Sequence, residues 1–183
     1  MNIKLLSMTA VIAMALGAGA MAAMDPMVGG AAMYPTKNIV QNAVNSKDHT
    51  TLVAAVKAAG LVPTLEGAGP FTVFAPTNDA FAALPPGTVQ TLLEPQNKAE
   101  LTKILTYHVV PGRYTAAMLD HDVHSAPGGR VSLKTVEGQP LIISAPDSAL
   151  MVTDQKGDTA QVTIPDVYQS NGVIMVINKV LMP

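Results

Sequence analysis

Gly69-Pro-Phe-Thr-Val-Phe-Ala-Pro-Thr-Asn-Asp-Ala-Phe81 carries a strand and the start of a helix in one short stretch. Phe71 to Ala75 alternate as a strand does, bounded by Gly69-Pro70 before and Pro76 after. Thr77 then offers an N-cap for a helical turn running to Leu84 and closed by Pro85-Pro86-Gly87. Upstream, Leu52, Val53, Val56 and Ala59 form an apolar helical stripe with Asp48 or Thr50 as N-cap and Gly60 as stop. Before it, Thr36 caps a short helix through Val44. Downstream, Thr88 restarts helix until Pro95, and Asn97 with Glu100 makes a capping-box start for a helix ending near Thr106. Tyr107-His108-Val109-Val110 reads as extended, with neighbouring side chains on opposite sides.

Past about residue 120 the pattern changes to short strands and turns. Val131–Val136 alternates apolar and polar, and Leu141–Ser144, Gln161–Ile164 and Val173–Ile177 are three more strands. The last is apolar on both faces, which predicts a central, doubly covered position. Gln169-Ser170-Asn171-Gly172 supplies the tight turn before it. Helices first and antiparallel strands afterwards predict an α+β domain with its helices mainly in the N-terminal half.

The 183 residues fit one domain. With 49 % apolar residues, 13 % charged and a net charge of −2, the chain is neither disordered nor built to grip nucleic acid. It has no cysteine, which excludes disulfides, thiol catalysis and cysteine-ligated zinc. There is no G-x-S-x-G, no H-E-x-x-H and no glycine-rich phosphate loop, and the carboxylates are scattered singly. The sequence therefore predicts a non-enzyme without cofactor or metal. His121 and His124 beside Asp120 and Asp122 lack helical periodicity and read as a solvated loop rather than a metal site.

Seven of the 11 methionines fall between Met1 and Met33. Lys4, the apolar run Leu5–Leu16 and the small residues Gly17–Ala23 describe a secretory signal over residues 1–23, cut after Ala20 or Ala22. Its short, glycine-interrupted core argues against a membrane anchor, so no membrane insertion is expected after signal removal. The predicted location is secreted or periplasmic. Residues 24–36 mix Gly, Pro and Met without periodicity and read as a flexible leader, with irregularly spaced methionines that do not build a soft-metal site. The domain itself is expected over residues 37–183.

Three blocks carry a resemblance. Thr51-Leu-Val-Ala-Ala-Val-Lys-Ala-Ala-Gly-Leu61 followed by Gly69–Phe81 resembles the first signature of the fasciclin domain. Leu105-Thr-Tyr-His-Val-Val-Pro-Gly112 resembles its Tyr-His block, and Asn171-Gly-Val-Ile-Met-Val-Ile-Asn-Lys-Val-Leu181 its closing strand. They occur in the family's order, in a single-domain layout similar to small secreted bacterial members. The resemblance implies a wedge of two small β-sheets with helices packed at one edge. It also implies adhesion through a protein or glycan partner of the cell surface or matrix, without a chemical reaction. The alternative is a small-ligand carrier or envelope stress protein with a pocket between helices and sheet.

The resemblance marks Tyr107 and His108 as an adhesion determinant. Their own chemistry reads as structural, a buried tyrosine and a hydrogen-bonded histidine. Asn78 and Asp79 read as helix-start residues with ligand contact as the alternative, and Asn171 belongs to the closing turn. Neither the partner nor the oligomeric state is written in the sequence.

Overall fold

The computed structural model describes residues 25–183. The predicted signal, its cleavage sites and Met24 lie outside the described residues. The chain begins with a hairpin, β1 (Met27–Val28) and β2 (Ala31–Ala32), followed by helices α1 (Ile39–Ala43), α2 (Thr50–Ala59) and α3 (Val62–Leu65). Then come β3 (Phe71–Pro76), α4 (Asn78–Ala82), α5 (Thr88–Leu93), α6 (Lys98–Tyr107), β4 (Val109–Pro111) and α7 (Ala116–Ser125). Strands β5 (Arg130–Lys134), β6 (Pro140–Ser144), β7 (Met151–Thr153), β8 (Thr159–Gln169) and β9 (Gly172–Ile177) complete it. The class is α+β, with the helices mainly in the N-terminal half.

The strands of the large sheet lie in the order β4-β3-β9-β8-β7-β6-β5. The long β8 joins its two halves: residues 159–161 pair with β7 and residues 162–169 with β9. β9 is central and buried along its whole length, as its unbroken apolar run predicts. Its partnership with β3, Phe71 opposite Gly172 through Pro76 opposite Ile177, is parallel rather than antiparallel. A parallel neighbour requires a crossover, and α4 to α7 with β5 to β8 supply it. Beyond β5 the chain returns to β4, where the Val136 amide donates to the Val109 carbonyl at 2.8 Å. The two edge strands are thereby linked, and neither presents a bare edge at that point.

Because side chains alternate along a strand, β3 and β9 feed two separate cores. Val73, Ala75, Ile174 and Val176 face the helices and meet Ile39, Leu52, Val56, Leu101 and Ile104. Phe74, Val173, Met175 and Ile177 face the other way and meet Leu119, Leu141, Ile143 and Val152.

Several expectations need correction. Residues 25–36 are not a detached leader: Gly29 and Gly30 take φ of 58° and 76° in a two-residue turn, and Val28 and Met33 are buried in the helical core. Asn38, not Thr36, caps α1, and its Oδ1 accepts from the Gln41 amide at 2.8 Å in a full capping box. Asn97 makes no box; its Nδ2 donates to the Thr91 carbonyl at 2.7 Å. The segment holding His121 and His124 is the helix α7, which buries Leu119 and Val123 in the core with Ala116 packed beside them. β7 was not foreseen, because three residues are too few to show a period.

Candidate functional site

Tyr107 and His108 sit where α6 ends, not on a strand. His108 keeps helical dihedrals (φ −82°, ψ −4°), so the two side chains do not alternate across a pleat and both are buried. This corrects the expectation of an extended segment with the two side chains on opposite sides. The Tyr107 hydroxyl donates to the Pro140 carbonyl at 3.0 Å and accepts from the Gln155 amide at 3.2 Å. It therefore fastens α6 to the β6 and β7 turns, and burial pushes its pKa up to about 12.

His108 Nδ1 lies 2.8 Å from the Ile104 carbonyl, and Nε2 accepts from the Leu181 amide at 3.0 Å. This pairing assigns the proton to Nδ1 and leaves the ring neutral. Burial holds its pKa at about 4, against the opposing pull of the Ile104 carbonyl and the Asp154 charge. Asp154 Oδ2 accepts from the next amide on this segment, Met182, at 2.9 Å. Its Oδ1 takes the amides of Lys156 and Asp158, both at 2.9 Å. The sequence reading missed Asp154, although an Asp three residues before Gly157 is a turn signal.

Asn171 is buried and every polar atom of its side chain is used. Oδ1 accepts from the Ile39 amide at 3.0 Å, and Nδ2 donates to the carbonyls of Leu65 at 2.7 Å and Gly67 at 2.9 Å. One side chain thus ties α1 and α3 to the β8–β9 turn. The glycine that follows is dictated by closeness, because a Cβ on Gly172 would collide with the Phe71 carbonyl oxygen. The neighbouring Gln169 pairs with Asn42, whose own amide brackets Tyr34.

Asn78 caps a helix, but not its own. Thr77 caps α4, while Asn78 Oδ1 accepts from the Thr51 amide and the Thr50 hydroxyl, each at 3.1 Å, at the start of α2. Its Nδ2 donates to the Lys47 carbonyl at 2.8 Å. The predicted local caps of α2, Asp48 and Thr50, are replaced by a residue from across the core. Asp79 is exposed in the first turn of α4, where its charge complements the helix dipole. The five positions do not converge. Asn171 and Asn78 stand at opposite ends of the paired strands β3 and β9, and Tyr107 and His108 lie at the end of α6.

Two openings complete the geometry. Inside the helical core is an apolar cavity of about 70 Å³, bounded by the N-terminal hairpin, α1 to α3, β3 and the end of α6. His49 lines it; Nδ1 meets the Ser46 hydroxyl at 2.9 Å, while Nε2 has no hydrogen-bond partner. Burial lowers this histidine's pKa, opposed by the nearby Ala75 carbonyl and the Asp48 charge. The second opening is a shallow cleft of about 320 Å³ between α7, Ser148–Leu150 and the bulged part of β8. Asp166 takes φ of 56° there, and its Oδ1 accepts from the Ala116 amide at 2.7 Å. Met118 and Tyr168, exposed by 48 % and 42 %, each follow one partner of that bond by two residues along the chain. Among the described residues no three His, Asp or Glu side chains come together as a metal set would.

The family model of the fasciclin domain matches residues 47–183. The chain belongs to the fasciclin domain family. Protein sll1483 of Synechocystis sp. is 45 % identical over 98 % of this chain and 96 % of its own length. The transforming growth factor-beta-induced protein ig-h3 of Sus scrofa is 42 % identical over 72 % of this chain, which spans 17 % of that longer protein. A solved FAS1 domain pair from the insect cell adhesion molecule fasciclin I superposes with a TM-score of 0.72 at 18 % identity, over 80 % of this chain and 51 % of that one.

The fasciclin match begins at residue 47, so the hairpin and α1 precede it. They are nonetheless integrated: Val28, Met33 and Ile39 join the helical core, and Gly29 accepts from the Lys47 amide at 3.1 Å.

Proposed function

We propose that this fasciclin domain is an extracytoplasmic, non-enzymatic adhesion module that binds a protein or glycan of a cell surface or matrix. The observation that carries the reading is the family match over residues 47–183, in a fold shared with an insect cell adhesion molecule. The signal-like segment over residues 1–23 supports export. Among the described residues no helix is long and apolar enough to cross a membrane.

Tyr107, His108 and Asn171 are buried and engaged within the domain, so partner contact falls to exposed residues. The elements that wall the cleft, α7 and β8, also carry the exposed Met118 and Tyr168, apolar surface beside polar groups in the manner of an interface patch. The test is saturable binding of the purified domain to intact cells or an envelope fraction, competed by unlabelled domain. Met118→Ala with Tyr168→Ala should weaken it at least fivefold without moving the melting temperature. Retention no greater than that of an unrelated exported protein would sink the adhesion reading.

A further inference from the structure

The cavity of the helical core has properties that a packing defect lacks. Its wall is apolar almost throughout, contributed by residues such as Val28, Leu52, Val56, Val73 and Leu105. An apolar void of this kind stays dry, because a water molecule needs two to four polar partners. Yet His49, 97 % buried on the same wall, carries the one side-chain nitrogen or oxygen that is buried without a partner among the described residues. Among the described residues the other buried side-chain nitrogens and oxygens are matched, as at His108, Asn171 and Asp154. The Ala75 carbonyl stands near the ring without completing a hydrogen bond to Nε2.

We propose that this cavity is a binding site for a slender, uncharged aliphatic molecule whose single hydrogen-bonding group, a hydroxyl or its equivalent, meets His49 Nε2. Slenderness follows from volume: about 70 Å³ is roughly half the ~150 Å³ of an apolar cavity that admits benzene. Neutrality follows from the wall, which is apolar almost throughout and whose one charged residue, Lys57, is solvent-exposed rather than buried beside the void. Entry is over the half-buried side chains Val40, Ala43 and Val53, which lie between the cavity and solvent. The site is separate from the α7–β8 cleft, so it stands or falls independently of adhesion.

The test is an NMR titration of the folded domain with a series of straight-chain alcohols from methanol to 1-hexanol, with xenon as the wholly apolar probe. Saturable shifts should appear at Leu52, Val56 and Val73, with affinity rising about fourfold per methylene over the first few carbons and falling once the chain outgrows the cavity. His49→Phe should lower 1-propanol affinity about three- to tenfold and leave xenon binding unchanged. Val56→Phe, which fills the void, should abolish both. If His49→Phe does not fold, the wild-type ring answers instead: its Nε2 resonance must move with 1-propanol and stay put with xenon. Absence of saturable shifts, affinity that climbs with chain length without limit, or shifts spread over Met118 and Tyr168 would overturn the site. Equal losses of 1-propanol and xenon in His49→Phe would overturn the histidine's role.

Discussion

The two cores of this domain share strands β3 and β9 yet are finished to different standards. On the sheet side Phe74, Leu141, Val152, Val173, Met175 and Ile177 are fully buried, and the polar groups set among them are paired. On the helical side short helices and a small hairpin enclose an apolar void and one unpaired imidazole nitrogen. The reason is geometric. Strands in register bring side chains into layers at fixed spacing, whereas α1, α3 and α4 are one turn or little more and pack from several directions.

The sharpest way to test this contrast is the same truncation on both sides. Leu141→Ala should cost about 4–5 kcal/mol and Leu52→Ala about 2–3 kcal/mol in urea denaturation, because the helical side can collapse into its void. Equal costs would erase the distinction. Lowering the pH attacks the sheet side through His108. Its folded pKa of about 4 lies below the unfolded 6.5, so the unfolded chain takes up the proton first. The contribution is complete above pH 6.5 and is lost as pH falls toward 4, roughly 3 kcal/mol in all. His108→Gln should flatten most of that slope. It should itself cost about 1–3 kcal/mol at neutral pH, since the Leu181 amide loses its acceptor. On the helical side Asn78→Ala should cost about 1 kcal/mol by uncapping α2 from a distance. Smallest is a gain: Val73→Ile should add about 0.5–1 kcal/mol by occupying the void, and a loss there would show the space is already used.

What could be read in the sequence follows the same division. Phe71–Ala75 and Val173–Ile177 announce their strands because full burial demands unbroken apolar residues. The stripe Leu52, Val56, Ala59 announces α2. What escaped depends on partners far along the chain. The sequence reads Tyr107 as buried and His108 as hydrogen-bonded, but not that Pro140, Gln155 and Leu181 are their partners. Asn78 looks like a local cap until α2 is placed beside it. The Gly29-Gly30 turn signal was present, but strands of two residues give it nothing to punctuate. In α7 only Leu119 and Val123 are buried, a stripe too narrow to stand out from its polar neighbours.

The central position of β9 bears on when the domain can form at all. Its residues 172–177 bridge β3 and β8, and without them Phe71–Pro76 has only the short β4 to pair with. A ribosome delivers the N-terminal helices and β3 long before that strand emerges, so the nascent chain lacks its keystone until residues 172–177 have been made. Folding dominated by such distant pairings is slow, and a growing chain of this design stays open and threadable.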